Sequence, residues 1–380
     1  MTRSLHRLFS QKVVWLFTAA LLALAVFVAF RPITQSQTDF YNNLWAPVHL
    51  LVRGESPYNT TPLHPDLPAL WMPPAIGFFS FLGFFRFEMA QQIWFLLNIL
   101  GLAGLLYLSI SKTQLTPVLL PGLLLAYFFP PAVNHFALGQ VSILIALSLL
   151  LAVRFVDSSP WRSAFFLAFG MTKPQLGFLV LFGICVYLIK QAGWMRLLRY
   201  GLRTFLAVLT LSLPLFLADS KWISDFFASL QANVQWTHPS LFSQLGEHLG
   251  EWKYLPWGVL LLCALWAAAQ LWMRLSKNAS VLWTLALTLP ITPYVWSWDF
   301  VLLLPLFFFA LSNTNWKGKA ILIAGYALAG AGMTVIQLSE NFHNSRFWWV
   351  PLWFVLLYAW SARFPPLPPS AQYKSPQVKD

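Results

Sequence analysis

Apolar runs alternate with short polar connections along almost the whole chain. Many of the runs have about the 17 to 25 residues that a helix needs to cross a hydrocarbon core roughly 30 Å thick. The pattern therefore predicts an all-α protein that crosses a membrane many times. The runs lie near residues 13–30, 73–85, 88–110, 117–133, 139–156, 163–171, 174–190, 203–218, 255–275, 279–293, 298–312, 318–337 and 347–362.

The composition agrees with this pattern and excludes a soluble protein. Of the 380 residues, 58% are hydrophobic and 9% are charged, whereas a soluble domain carries about 25% charged residues. We expect residues 1–363 to form a single integral membrane domain. Residues 364–380 are polar and rich in proline, so we expect a disordered cytoplasmic tail there.

The positive charges gather in short clusters between the apolar runs. The net charge is +12, but the cations do not share one face or arm, so we do not expect a nucleic-acid partner. The pattern is that of cytoplasmic loops, which are rich in Lys and Arg and contact anionic lipid head groups. The cluster of Lys190, Arg196, Arg199 and Arg203 is the strongest cytoplasmic signal in the chain.

The number of crossings follows from these charges. The run at 13–30 has a basic flank and is too long for a typical cleaved signal peptide, so we interpret it as a retained first crossing that starts in the cytoplasm. The run at 73–85 opens with two prolines and is only about two-thirds of a crossing in length. If it does not cross, the charges agree with about twelve crossings, cytoplasmic termini, and outer loops near 31–87 and 219–254.

A second topology would treat residues 163–189 as one long helix broken near Thr172–Pro174. It would place residues 134–140 inside and Arg154 and Arg162 outside. That arrangement fits the positive-inside bias less well.

The first outer loop carries the residue that we regard as the best candidate for catalysis. Asp39, in the segment Thr38-Asp39-Phe40, lies just beyond the first predicted crossing. In a chain with 12 acidic residues, a carboxylate there could take a proton from a hydroxyl at the outer surface. The alternative is that Asp39 caps a helix that begins at Phe40.

Lys173 is the candidate cation. It lies in the apolar segment FGMTKPQLGF, where Pro174 interrupts a helix. A charge at such a break is costly in a membrane protein and suggests an anion site, although a lysine that extends to the interface from a helix end is an equal alternative.

Four further polar or aromatic positions lie at predicted outer ends. Gln140, near the start of a span, offers two donors and an acceptor to a sugar or a head group. His135, Tyr58 and His238 are weaker candidates, since turn or interface chemistry would also explain them. Gln140 and His135 are assigned with Lys173 to an anion site, and Tyr58 and His238 to substrate binding.

Trp298 and Asp299 open a later span in the segment TPYVWSWDF. Asp299 could cap that helix, and Trp298 could be an interfacial ring or a platform on which a sugar ring stacks. We include both among the substrate-binding candidates. The sequence has no metal-ligand cluster, Walker loop or dinucleotide fingerprint, so we expect neither metal nor cofactor.

The ordered segments TDF, GESPY, MPPAIGFF, IWFLLN, ALGQVSILIALSLLLA, TKPQLGF and TPYVWSWDFVLLLP are similar to glycosyltransferase family 87. The resemblance covers roughly residues 30–310. It implies the GT-C fold, an active site facing away from the cytoplasm, and a sugar donor carried on polyprenyl phosphate. We expect Lys173, with Gln140 and His135, to bind the phosphate of this donor. In such enzymes the aspartate of the first outer loop is the proposed general base, a role that falls to Asp39.

The resemblance implies inverting transfer of mannose to a hydroxyl of a lipid or glycan acceptor. Thr38 stands where related enzymes often have a second acidic residue, so a metal held by an acidic pair is not expected. Arabinofuranose, galactose or glucose are alternative sugars on the same donor lipid. A flippase or transporter of a lipid-linked sugar is the alternative outside catalysis, but it would place polar residues through the membrane midplane.

Overall fold

The computed structural model describes residues 37–65, 67–110, 122–233, 236–339 and 343–365. Within these ranges the regular structure is entirely helical, as the apolar pattern predicts. The predicted first crossing at 13–30 and most of the predicted tail lie outside the described residues.

The first outer loop contains short helices. Thr38–Phe40 (α1) continues through a π-helical turn at Tyr41–Trp45 into Ala46–Leu51 (α2). After a 3-10 turn at Thr61–Leu63 comes Pro73–Phe78 (α3), whose two prolines occupy first-turn positions that need no N–H donor. At about 1.5 Å per residue, α3 is too short to cross a membrane, in agreement with the prediction for 73–85.

Longer helices form the rest of the described chain, with residues 122–127 also helical and 3-10 turns at Ser80–Phe84, Gly250–Lys253, Ser297–Leu303 and Asn344–Phe347. They are Phe87–Ser109 (α4), Pro130–Leu138 (α5), Ser142–Phe155 (α6), Pro160–Gly170 (α7), Pro174–Ala218 (α8), Trp222–Gln231 (α9), Leu241–Leu249 (α10), Tyr254–Arg274 (α11), Lys277–Ile291 (α12), Leu304–Ser312 (α13), Trp316–Gln337 (α14) and Trp349–Ser361 (α15).

Four helical stretches in the described part of the chain are long and apolar enough to cross a membrane: Phe87–Ser109, Pro174–Ala218, Leu241–Arg274 and Trp316–Gln337. A fifth crossing results if α5 and α6, bent by 107° at their junction, are counted as one. The 45 residues of α8 have non-helical backbone at Ala192 and Gly193, between the predicted runs at 174–190 and 203–218. The total of about twelve crossings stays a prediction.

Polar contacts define two opposite ends of the bundle formed by α6, α7, α8 and α12. At one end, Lys173, just before α8, donates to Gln140, just before α6, over 2.9 Å. At the other end, Asp157, just after α6, accepts from Tyr187 at 2.8 Å, Arg196 at 2.7 Å and Lys277 at 2.5 Å. Consecutive helices therefore run antiparallel between the two ends.

This arrangement excludes the topology with one broken helix over 163–189. Residues Thr172–Pro174 form a turn between antiparallel α7 and α8, because Lys173 returns to the end where α6 begins. Arg154 and Arg162 flank Asp157 in the sequence, so they lie at the opposite end from Lys173. The structure thus agrees with the preferred topology, in which 163–171 and 174–190 are separate segments, and the less favoured alternative of a single broken helix is excluded.

Close backbone contact between α3 and α8 gives a test of the fold. A Cβ added at Gly77 would lie 1.7 Å from the Leu211 carbonyl oxygen, whereas one added at Gly201 of α8 would meet no atom within 4 Å. We expect Gly77→Ala to lower the free energy of unfolding by about 3 kcal/mol, the upper end of overpacking costs. Gly201→Ala should be neutral or stabilising, because Ala favours helix.

The measurement is the thermal unfolding midpoint of each purified variant in detergent. Equal midpoints for Gly77→Ala and the parent would contradict the described contact between α3 and α8.

Candidate active site

A cavity of about 1260 Å³ opens at the end of the bundle where Lys173 and Gln140 meet. Its lining includes the polar side chains of Asp39, Gln140 and Lys173 and the aromatic rings of Trp296 and Trp298. The cavity thus brings together polar residues that are far apart in the sequence.

Asp39 is held in place by its neighbour Phe40. The Phe40 ring is fully buried and stacks on the Trp94 ring with centroids 5.4 Å apart. Trp94 in turn donates its indole N–H to the Gly139 carbonyl at 2.8 Å. Trp94 therefore joins the segment that carries Asp39 to the segment that carries Gln140.

Gly139 permits the close approach of these two segments. Its φ of +71° is a left-handed conformation that ends α5. A Cβ at this position would lie 2.6 Å from the Phe40 Cβ. Only a glycine fits here without displacing Phe40, and the fit brings the Gln140 amide to the Asp39 carboxylate.

One of the two oxygens of the Asp39 carboxylate accepts a hydrogen bond from a described residue. Oδ2 accepts a hydrogen bond from Gln140 Nε2, and Oδ1 has no hydrogen bond to any described residue. Asp39 is not a helix cap: Gln37 occupies the cap position of α1, and no side chain caps that helix. Burial raises the pKa of Asp39 above 3.8, while the positive charge of Lys173 and the Gln140 hydrogen bond oppose that rise.

Gln140 connects Asp39 to a buried ion pair. Its Oε1 accepts from Lys173 Nζ at 2.9 Å, and Lys173 Nζ also donates to Asp299 Oδ1 at 3.0 Å and to Ser142 Oγ at 3.3 Å. The ammonium group of Lys173 therefore has three acceptors within the protein. The side chain of Lys173 is 11% exposed and that of Asp299 is 1% exposed.

Both carboxylate oxygens of Asp299 are occupied. Oδ1 accepts from Ser142 Oγ and Lys173, and Oδ2 accepts from the Trp296 backbone N–H at 3.0 Å. The last contact caps the 3-10 turn Ser297–Leu303, as the capping alternative anticipated. Asp299 lies behind the cavity wall as the counter-ion of Lys173.

An aromatic wall faces the charged residues. The rings of Trp296 and Trp298 stack with centroids 4.8 Å apart and planes 10° apart. His238 packs behind them, with its ring centroid 4.2 Å from that of Tyr294 and 4.7 Å from that of Trp296. Burial lowers the pKa of His238 below 6.5, so the imidazole is neutral at pH 7 and supports the wall.

Tyr58 and His135 do not line the cavity. Tyr58 is buried and donates to the carbonyl of Trp71, a lining residue, at 2.8 Å. His135 is fully buried, and its Nε2 accepts from the Ile143 backbone N–H at 3.2 Å. Both side chains support neighbouring segments of the site and do not reach its open space.

The model of glycosyltransferase family 87 matches residues 70–305, which include Gln140, Lys173 and Asp299. The chain belongs to glycosyltransferase family 87. It is therefore a membrane glycosyltransferase, and the match begins after Asp39. No curated protein matches the sequence at a significant level.

Two lining residues with charged side chains, Glu247 and Arg346, were not predicted as site residues from the sequence of this family 87 enzyme. Glu247 of α10 is exposed and accepts from Gln244 at 3.3 Å. Arg346, in the turn Asn344–Phe347, places a second permanent cation at the cavity. The available signal for Arg346 was a cation on the predicted outer side, where the positive-inside bias disfavours Lys and Arg.

Removing one member of the buried ion pair should destabilise the enzyme strongly. Asp299→Asn leaves Lys173 as an uncompensated buried charge, for which we expect a loss of about 3–5 kcal/mol. The control is Asp157→Asn, which removes the carboxylate that pairs with Arg196 and Lys277. These pairs are exposed, and each exposed pair contributes about 1 kcal/mol or less. Thermal unfolding in detergent measures both, and equal losses would contradict the assignment of Asp299 as the essential counter-ion.

Proposed function

We propose that this enzyme transfers mannose from polyprenyl-phosphate mannose to a hydroxyl group of a lipid or glycan acceptor, with inversion at the anomeric carbon. The observation that carries the proposal is the Asp39 carboxylate at the cavity. One of its oxygens is oriented by Gln140, and the other carries no hydrogen bond from a described residue. That is the arrangement of a general base ready to accept a proton.

The reaction needs little beyond this base and correct positioning. Asp39 Oδ1 takes the proton of the acceptor hydroxyl as that oxygen forms a bond to the anomeric carbon. The bond from this carbon to the phosphate oxygen breaks on the opposite side, and its electron pair leaves with the lipid phosphate. The phosphate is already a good leaving group, so positioning and electrostatics supply most of the remaining acceleration.

The size and lining of the cavity suit a sugar. The stacked indoles of Trp296 and Trp298 offer the aromatic faces on which sugar rings pack. Amide side chains at Asn43, Gln175 and Asn233 also line the cavity, and they can both donate to and accept from sugar hydroxyls.

A second cavity supports a donor carried on a lipid. It has a volume of about 380 Å³, its walls are almost wholly apolar, and it shares Met72 with the larger cavity. Its lining includes Pro74, Met171 and Phe226. We propose that the isoprenoid chain of the donor enters here, so that its phosphate reaches the charged end of the larger cavity.

The proposal includes a GT-C fold with about twelve crossings, a multi-pass position in the cell membrane and both termini in the cytoplasm. The two-ended bundle supports it. Arg196 and Lys277 contact Asp157 at one end, and a cation-rich end is typical of the cytoplasmic side. The cavity lies at the other end, which we assign to the non-cytoplasmic side.

The gathering of Asp39, Gln140 and Lys173 at one end also favours a transferase over a transporter of lipid-linked sugars, since a transporter places polar groups near the midplane. Arabinofuranose, galactose and glucose are the alternative sugars on the same donor lipid. Comparing these sugars on polyprenyl phosphate as donors would identify the preferred one.

Loss of the Asp39 carboxylate should abolish most of the transfer. In purified enzyme given polyprenyl-phosphate mannose and a lipid extract, we expect Asp39→Asn to reduce kcat by about 10²–10⁴-fold, the usual contribution of a general base. Glu247→Gln is the matched control, since Glu247 lines the same cavity from an exposed position. Parental kcat in Asp39→Asn would refute Asp39 as the base.

The rate should depend on pH through the ionisation of Asp39. Only the ionised carboxylate accepts a proton, so the rate rises with pH through the pKa of Asp39, which burial raises above 3.8. The positive charge of Lys173 lowers this pKa, so Lys173→Gln should move the acidic limb of the kcat profile to higher pH. Lys173→Arg should restore the parental position.

The control for this profile is Lys221→Gln, which removes an exposed cation outside the cavity. An unchanged acidic limb in Lys173→Gln would contradict the electrostatic link between Lys173 and Asp39.

A further inference from the structure

The cavity has two permanently charged cations among its described lining residues, Lys173 and Arg346. A lipid-linked sugar donor would bring an anionic phosphodiester to this cavity, and these two cations are the lining groups whose charge complements it. Their surroundings differ in a way that assigns separate roles.

Lys173 is already neutralised. Its ammonium group forms a buried ion pair with Asp299 and donates to Gln140 and Ser142. A phosphate that accepted a hydrogen bond from this ammonium group would compete with the buried carboxylate of Asp299, which is 1% exposed. Removing the partner of such a buried charge is costly, so Lys173 is a poor choice for an anion that must enter and leave on every turnover.

Arg346 is exposed, and its guanidinium has no hydrogen bond or ion pair with any residue that the structure describes. Its backbone is nevertheless fixed. Asn344 accepts from the Ser297 N–H at 3.3 Å and donates to the Ser297 hydroxyl at 3.0 Å, and Phe347 is fully buried. Because Ser297 stands between Trp296 and Trp298, these contacts hold the Arg346 turn beside the aromatic wall.

We propose that Arg346 binds the phosphate of the lipid-linked sugar donor, while Lys173 serves as counter-ion to Asp299 and holds Gln140 against Asp39. This inference rests on the proposed function, since it assumes a phosphate-linked donor. A guanidinium binds two phosphate oxygens at once through parallel N–H donors. It keeps its charge at every working pH.

The charge on the phosphate gives Arg346 an effect on the rate as well as on binding. The donor phosphodiester carries one negative charge. When the sugar leaves, the electron pair of the broken bond remains on a phosphate monoester, whose charge approaches −2 at pH 7. An interaction that strengthens during this change stabilises the transition state more than the bound donor.

The test measures how tightly polyprenyl phosphate, the lipid product, binds to the full-length enzyme in nanodiscs. Equilibrium binding of a fluorescent polyprenyl phosphate is compared with competition by uncharged polyprenol and by inorganic phosphate, and transfer from polyprenyl-phosphate mannose is measured on the same samples. The variants are Arg346→Gln, Arg346→Lys and Lys173→Gln. Arg53→Gln is the matched control, since Arg53 is an exposed arginine of the predicted outer loop that does not line the cavity.

We expect Arg346→Gln to weaken polyprenyl phosphate binding at least about tenfold, the effect of losing a charge-assisted contact, and to leave polyprenol binding unchanged. Arg346→Lys should retain part of the parental affinity for polyprenyl phosphate. The control Arg53→Gln should bind it as tightly as the parent. In the parent, polyprenyl phosphate should compete better than polyprenol and inorganic phosphate.

The inference is overturned if Arg346→Gln binds polyprenyl phosphate like the parent, or if only Lys173→Gln loses the preference for phosphate over polyprenol. It is also overturned if binding in all variants follows only the anionic lipid content of the nanodisc, which would assign Arg346 to bulk head groups. Failure of the proposed function gives a different result: the parent binds polyprenyl phosphate through Arg346 but transfers no sugar.

Discussion

A charge in an apolar bundle must be paired, and this constraint organises the site. Lys173 and Asp299 compensate each other across a junction of helices, since either one alone would be costly to bury. The pair does more than neutralise charge. Lys173 contacts the Gln140 amide, and the amide contacts the Asp39 carboxylate, so the partly buried carboxylate that we propose as the base is linked to an ion pair behind it.

The lining of the cavity combines groups of different chemistry. It includes the polar side chains of Asp39 and Gln140, where proton transfer is proposed, and the flat rings of Trp296 and Trp298, beside which the turn with Arg346 is held. The smaller apolar cavity shares the lining residue Met72 with this space. A ligand with an isoprenoid chain, one negative charge and a sugar ring could contact a matching surface with each of these three parts. The proposed donor has these three parts.

The sequence predicted the members of the site better than their contacts. Asp39, Gln140 and Lys173 could be found because polar residues are rare in this chain and the positive charges place them at one end. The pairing of Lys173 with Asp299, 126 positions apart, could not be found, because nothing local reveals which helix ends meet. Whether a side chain lines a cavity is equally invisible, so Tyr58 and His135 were assigned to substrate and donor contacts.

The separation of the paired charges along the chain has a consequence for biosynthesis. Chains are made from the N-terminus and their first segments begin to fold during synthesis, so Lys173 reaches the membrane well before its counter-ion at position 299 exists. Until then its ammonium group lacks the buried carboxylate with which it forms an ion pair in the folded enzyme, so we expect it to stay in water or at the lipid surface. The last third of the polypeptide thus completes a site whose other members were made earlier, and a truncated product would lack the electrostatic balance of the mature enzyme.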